Sequence, residues 1–235
     1  MSTYQPILDT VFNSILWFIP AILTISALKL LLEPRLKGIV GELAVGLALK
    51  DIGEDVLTDI LIPDGKGGLT QLDHVVLAPG GLWVIETKNY KGLIFGGERE
   101  KRWTQRLGRQ SFQFMNPLRQ NYLHTEALKA LLPNVPVRGW VAFAGEARFP
   151  KGMPGGVSAL RSLRKDLSAF VPDKNVAPDL HAAWKRLKRK MRTDRAAKRE
   201  HLAGIEEKYG KGRATPVGVG LLVISVAWLL VMWLR

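Results

Sequence analysis

The chain has 235 residues, enough for one domain of ordinary size plus additional segments. It contains no cysteine, which excludes a disulfide framework and any Cys-ligated zinc or iron–sulfur centre. A formal net charge of +13 points to a polyanionic partner, either nucleic acid or an anionic lipid surface.

Residues 11–32 begin with an uncharged apolar run that ends at Lys29. Its length suits a bilayer span. A cleaved signal peptide is the rival reading, but no Lys or Arg precedes the run as such signals require. The stretch 216–234 is a second uncharged run, closed by Arg235. As a helix it extends about 28 Å, close to the hydrocarbon thickness. Trp228 and Trp233 suit an interface. Positive charge lies after the first run and before the second, so both predict the same topology, termini outside and the middle cytoplasmic. A buried core helix is the alternative for either run.

Gly38–Leu49 has helical spacing, with Ile39, Leu43, Gly46 and Leu47 on one face and Glu42 as its single charge. Val56–Ile62 reads as a strand, ended by Pro63 and the turn Asp64-Gly65-Lys66-Gly67-Gly68. The stretch from Gln71 to Lys88 follows as a hairpin around Pro79-Gly80-Gly81. Its apolar arms are interrupted by Asp73, Glu86 and Lys88. Charge in such strands is costly unless it is paired or binds an ion. A four-residue loop, Ala78–Gly81, pairs Leu77 with Leu82 and sets Asp73 opposite Glu86 on one face, with Lys88 beside it. A three-residue loop would put Asp73 on the other face unless a bulge corrected it. His74 falls on the opposite face, where packing is expected.

Leu93-Ile94-Phe95 and Trp103-Thr104-Gln105 predict two short paired strands. Asn116 and Pro117 open a second helix, as N-cap and first helical residue, running to about Leu132. Val137–Ala144 reads as a central strand and Ser158–Phe170 as helical. Strands up to Phe95 are expected to form an antiparallel meander, with the last strand added in parallel after a helical crossover. The fold class is therefore α/β (α+β), one mixed sheet flanked by helices. Asp179–Tyr209 is predicted as a third helix, set apart from the core by Pro172 and Pro178. His181–Arg213 carries 12 Lys or Arg against 4 Asp or Glu. Leu180, Trp184, Leu187 and Met191 give the start of this helix an apolar stripe. Contact with anionic membrane lipid accounts for its charge beside a span, with DNA contact as the alternative. The resulting organisation is a span at 11–32, a domain at 36–150, a helical extension and linker at 151–178, a basic juxtamembrane helix at 179–213, and a span at 216–234.

Two facing carboxylates with a lysine nearby can hold Mg²⁺ or Mn²⁺ against a substrate phosphate. Such an ion lowers the pKa of a bound water, and the ammonium can orient that water or stabilise a pentavalent phosphate. The bland reading is a structural ion pair of Lys88 with Asp73 or Glu86. At this point Gly41-Glu42, Leu72-Asp73-His74, Gly81–Asn89, Gly92 and Asn116-Pro117-Leu118-Arg119-Gln120 resemble the nuclease-related domain (NERD) of the PD-(D/E)XK nuclease superfamily. The resemblance covers about residues 36–150. It implies a restriction-endonuclease-like sheet and a metal-dependent nuclease, acting more on DNA than RNA. Asp73 and Glu86 would be metal ligands, the Thr87 carbonyl a further contact, Glu42 a helix-borne acid, Lys88 the catalytic lysine and Gln120 the helix glutamine. Related nucleases often carry Tyr four residues after that glutamine; here the position is His124. Arg99, Lys101, Arg102, Arg106 and Arg109 could line a nucleic-acid path or simply form a solvated basic loop. A membrane-tethered nucleic-acid-binding protein that keeps the fold without turnover is the second reading.

Overall fold

The structure is a computed structural model and describes residues 5–170, 176–209 and 214–234. Pro172 and residues 210–213 of the basic stretch lie outside the described residues. In chain order the elements are α1 (Gln5–Leu49), β1 (Asp55–Pro63), β2 (Leu69–Ala78), β3 (Gly81–Lys88), β4 (Gly92–Phe95), β5 (Arg102–Leu107) and β6 (Gln110–Met115). Then follow α2 (Pro117–Leu131), β7 (Val137–Phe143), β8 (Ala147–Arg148), β9 (Val157–Ala159), α3 (Leu160–Ser168), α4 (Pro178–Lys190), α5 (Arg195–Tyr209) and α6 (Ala214–Trp233). The chain divides into two compact units, Met1–Lys37 with Tyr209–Arg235, and Gly38–Lys208.

In the first unit, α6 and the amino-terminal part of α1 share polar contacts. Thr24 Oγ1 lies 2.8 Å from Ser225 Oγ, which donates to the Pro20 carbonyl at 2.9 Å. Gly218 sits against Leu31, where a Cβ would come within 2.6 Å of Leu31 Cγ. Leu16–Leu49 and Pro216–Trp233 are long and apolar enough to cross a membrane. Within the apolar 18-residue window of each, 11% of the residues are buried. The expected break between a span and a second helix at Gly38 is absent: α1 continues through Pro34.

The second unit is a mixed α/β domain built on two sheets, with strand orders β1-β2-β3-β7-β9 and β6-β5-β4-β8. The hairpin register is the expected one, with Leu77 opposite Leu82. Ala78 also pairs with Gly81, so the connection closes down to Pro79-Gly80. Gly80, at φ +80°, takes the position of a Pro-Gly turn that favours glycine. β7 adds to β3 in parallel after the α2 crossover, as expected.

One mixed sheet was expected; the domain has two, because β4 leaves the meander. Gly92 has φ +84°, and a Cβ there would lie 2.5 Å from the Arg106 carbonyl oxygen. That turn sends β4 to pair with β5 and β8. Ile94, Trp103, Val141, Phe143 and Val157 fill the space between the sheets.

Alternation along β3 sorts the core. Leu82 and Val84 pack with Leu128 of α2 and Leu180, Trp184 and Leu187 of α4. Trp83 and Ile85 pack with Val45 and Leu49 of α1 and with Leu163 and Leu167 of α3. The domain end of α1 buries Gly41, Val45 and Leu49, while Ile39, Leu43 and Leu47 are exposed. Residues of 157–168 pack into the core. One expectation is corrected here: the stretch from 179 to 209 is two helices, and the apolar stripe at its start is part of the core.

The break between α4 and α5 has a backbone cause. Arg192 and Leu61 exchange N–H···O bonds at 2.8 and 2.9 Å, which adds a bridge to the edge strand β1. Asp194 then accepts from the Ala197 N–H at 2.8 Å and opens α5.

Asn116 joins α2 to the second sheet. Its Oδ1 caps the Leu118 N–H at 2.9 Å, and its Nδ2 donates to the carbonyls of Gly97, Glu98 and Glu100. Replacing Asn116 with Ala removes the cap and leaves the turn carbonyls short of a donor. The expected loss is about 2 kcal/mol. Thermal unfolding should show a lowered Tm, whereas Arg119→Ala on the exposed side of α2 should leave Tm close to the parent value.

Candidate active site

The site lies where β2 and β3 run past the end of their ladder. Their last recorded pair is His74 with Ile85, so Asp73 and Glu86 are the next facing residues. Glu86 continues the alternation of Leu82 and Val84 and points toward α2. It is 3% exposed. Both of its oxygens are engaged: Oε1 accepts from Lys88 Nζ at 2.5 Å, and Oε2 lies 3.3 Å from His124 Nε2. Lys88 Nζ also donates to Gln120 Oε1 at 3.1 Å. His124 Nδ1 lies 2.9 Å from Thr70 Oγ1. Asp73 Oδ2 accepts from the Thr87 backbone N–H at 2.8 Å. Lys88, Glu86 and Gln120 thus form one connected group, and the structural ion-pair reading holds for Lys88 with Glu86.

Electrostatics separate the two carboxyls. Burial, followed by the nearby Glu86 charge, pushes Asp73 from its ordinary 3.8 up to about 8, outweighing the Thr87 N–H and Lys88. Burial also opposes ionisation of Glu86, but Lys88 and His124 outweigh it and hold Glu86 below its ordinary value. Burial works against the Lys88 ammonium; Glu86 and Asp73 outweigh it and hold Lys88 above its ordinary value. The centre therefore carries one protonated acid, one carboxylate and one ammonium near neutral pH.

Glu42 reaches the same region from α1. Gly41 brings that helix close to Asn89, where a Cβ would sit 2.7 Å from Asn89 Cβ. Glu42 lies within electrostatic reach of Asp59, Glu86, Lys198 and Lys88. His74 faces the other way, against Gly46, as expected. It is 1% exposed, and burial pushes it down to about 4, so it packs as a neutral ring.

Arg102 and Arg106 lie on β5, with Arg99 and Lys101 in the turn before it and Arg109 in the turn after it. All five are exposed, and they lie on or beside β5 of the second sheet, apart from the strands that carry the acids.

Sequence reasoning marked His124 without giving it a role, and missed Thr70, Asp59 and Lys198. His124 had a signal: it is four residues after Gln120 and shares its helix face. Asp59 stands beside Asp73 only once the register across the Asp64–Gly68 turn is known. Thr58 pairs with His74 and Ile60 with Leu72, which leaves Asp59 facing Asp73.

Among the described residues, no three His, Asp or Glu side chains stand together in a metal-holding group. The donor chemistry nevertheless fits a divalent ion of the Mg²⁺ type. Asp73 and Glu86 offer hard oxygens from facing positions at the end of the β2–β3 ladder.

A mixed sheet with facing acids, a paired lysine and a helix glutamine defines the domain as a buried carboxylate–lysine centre on an α/β frame. The family comparison makes that class specific. Residues 37–144 match the nuclease-related domain family, NERD, and this part of the chain is a nuclease-related domain. The chain is also 28% identical over 186 residues to an uncharacterized protein of Bacillus anthracis, a match spanning 76% of this chain and 88% of that protein. No solved structure matches the chain.

The Asp73 shift has a defined sign for stability. Its folded value, about 8, exceeds the ordinary 3.8, so the folded state holds a proton that the unfolded chain releases. Stability from this group is therefore complete below the unfolded value and lost progressively as pH rises toward 8. Asp73→Asn should flatten that loss and leave the metal-free protein more stable than the parent at pH 8. Denaturant titrations in chelator at pH 5 and pH 8 check this; an unchanged pH dependence in the variant would contradict it.

Proposed function

We propose that this protein is a metal-dependent nuclease of the PD-(D/E)XK type, anchored in a membrane and cutting nucleic acid, DNA in the first instance, on the cytoplasmic side. The observation that carries the reading is the facing of Asp73 and Glu86 with Lys88 on Glu86 and Gln120, inside a nuclease-related domain. Asp73 and Glu86 would hold Mg²⁺ or Mn²⁺, with the Thr87 carbonyl and Glu42 as further oxygen donors. When bound, the ion supplies Lewis acidity toward a phosphoryl oxygen and a water of lowered pKa. Thr87 N–H holds the Asp73 carboxyl in place. His124 and Thr70 orient Glu86 from α2 and β2. Lys88 keeps its proton, so its part is to orient the attacking water and to stabilise charge on the phosphate rather than to act as a base. Gln120 fixes the Lys88 ammonium from the helix side.

Arg99, Lys101, Arg102, Arg106 and Arg109 offer an exposed basic surface for the nucleic-acid backbone. Lys185, Arg186, Arg189 and Lys190 form the exposed basic face of α4, and anionic lipid is its proposed partner. The distribution of positive charge around the two long apolar helices supports a two-span arrangement with both termini outside.

The full-length protein in detergent should cleave DNA with Mg²⁺ or Mn²⁺ and not in chelator. Asp73→Ala, Glu86→Ala and Lys88→Ala should each lower kcat by about 10²–10⁴-fold. Salt-sensitive binding without cleavage under any divalent ion would instead select the non-catalytic binding protein.

Topology has its own check, because the parent chain contains no cysteine. An impermeant thiol reagent applied to intact cells should label Ser2→Cys and not Lys66→Cys until the cells are opened. The reverse pattern would overturn the proposed orientation.

A further inference from the structure

Asp59 is an anomaly in the domain's first strand. It lies mid-way along β1 with φ +52°, a left-handed conformation rare for any residue but Gly and tolerated best by Asn and Asp. Its neighbours Thr58 and Ile60 keep their ladder partners, so the distortion is confined to the residue that faces Asp73. Gln71 Nε2 donates to Asp59 Oδ1 at 2.8 Å. Gln71 and Asp73 share a face of β2, which puts the Asp59 carboxylate on the face that bears the site. The other oxygen, Oδ2, is held by Lys198 of α5.

Lys198 is delivered there from outside the family-matched stretch, which ends at residue 144. Two tethers flank it. Arg192 bridges to Leu61 before α5 begins, and His201 Nδ1 lies 2.8 Å from the Leu69 carbonyl oxygen three residues beyond Lys198. The ammonium also lies within electrostatic reach of Glu42. Arg195 lies three residues before it on α5, at a spacing that places the two on one side of the helix.

A purely structural pair explains this poorly. The Lys198 and Asp59 side chains are 44% and 39% exposed, and a pair so wet adds little to stability. A non-glycine residue held in this backbone region carries strain that such a pair does not offset. The same exposure leaves the ammonium free to exchange one anion for another. The surrounding charges show what it could serve: Asp59, Asp73, Glu86 and Glu42 gather at one end of the sheet, with Lys88 already committed to Glu86. Lys198, with a partly exposed side chain, is a further cation there for an incoming phosphodiester.

We propose that Lys198 is a second phosphate-contacting cation of this site, held on Asp59 until a nucleic-acid backbone displaces the carboxylate. This rests on the nucleic-acid reading of the site but does not require turnover. The test uses the full-length protein with short fluorescein-labelled single-stranded and duplex DNA. Binding is measured in Ca²⁺ across a salt series, and cleavage kinetics in Mg²⁺. Lys198→Gln should reduce the slope of log K against log salt by about 0.7–0.9, the loss of one phosphate contact. It should raise KM by more than it lowers kcat, and Lys198→Arg should restore both. Asp59→Asn keeps a residue that tolerates the backbone and frees the ammonium, so it should tighten binding. A structural pair would do the opposite or nothing. A parent that binds DNA without cutting it would sink the nuclease assignment and leave this inference standing. Equal salt slopes for the parent and Lys198→Gln, or Asp59→Asn binding no tighter than the parent, would overturn it. A parent that does not bind DNA would overturn both.

Discussion

Two carboxyl groups held face to face inside a protein repel each other, and the architecture of this domain can be read as the response to that one constraint. The β2–β3 register puts Asp73 and Glu86 in facing positions just beyond the last recorded pair. Two unpaired charges there would be costly, because each also loses its water. The domain answers asymmetrically. Glu86 receives Lys88 and His124 and stays ionised; Asp73 receives a backbone N–H and stays protonated. Such a cluster contributes little to net stability, since a buried pair barely recovers its desolvation. Its retention makes sense if an ion or substrate completes the charge balance.

The two faces of the central sheet do different work for this cluster. The α2 face supplies the polar partners, Gln120 and His124, from the helix that Asn116 caps and ties to the second sheet. The α1 face supplies closeness: Gly41 and Gly46 let that helix approach Asn89 and His74, and Glu42 rides in on it. Asn121 ties α2 to the sheet by donating to the carbonyls of Val84 and Trp140 on adjacent strands. Positioning of the acids thus depends on packing well away from them.

Much of this was legible because it is local. Pro-Gly turn chemistry set the hairpin register, Asn116-Pro117 marked the start of α2, and alternation placed Asp73, Glu86 and Lys88 on one face and His74 on the other. What failed was non-local. The domain end of α1 is apolar nearly all round, so periodicity could not choose its buried side. Tight approach to the sheet chose the glycine side and left Ile39, Leu43 and Leu47 outside. Gly92 was part of the family resemblance, but only the Arg106 carbonyl beside it shows why β4 must turn away. Leu180, Trp184 and Leu187 read as an apolar stripe, and only the core they join shows what it faces. Asp59 reads from sequence as the one charge in a strand, with nothing to mark its backbone as unusual.

Burial of that α4 stripe changes how the chain's positive charge should be read. An amphipathic basic helix lying on a bilayer needs its apolar side for insertion. Here that side is spent on the core, and Trp184 Nε1 is further tied to Asp55 at 2.9 Å. What α4 offers outward is charge alone, so any lipid contact it makes is electrostatic and weakens with salt. The basic stretch is then part of the domain's own architecture: α4 closes the core over β1, and α5 carries Lys198 back to the acids. The same basic sequence thus completes the sheet edge beside the site.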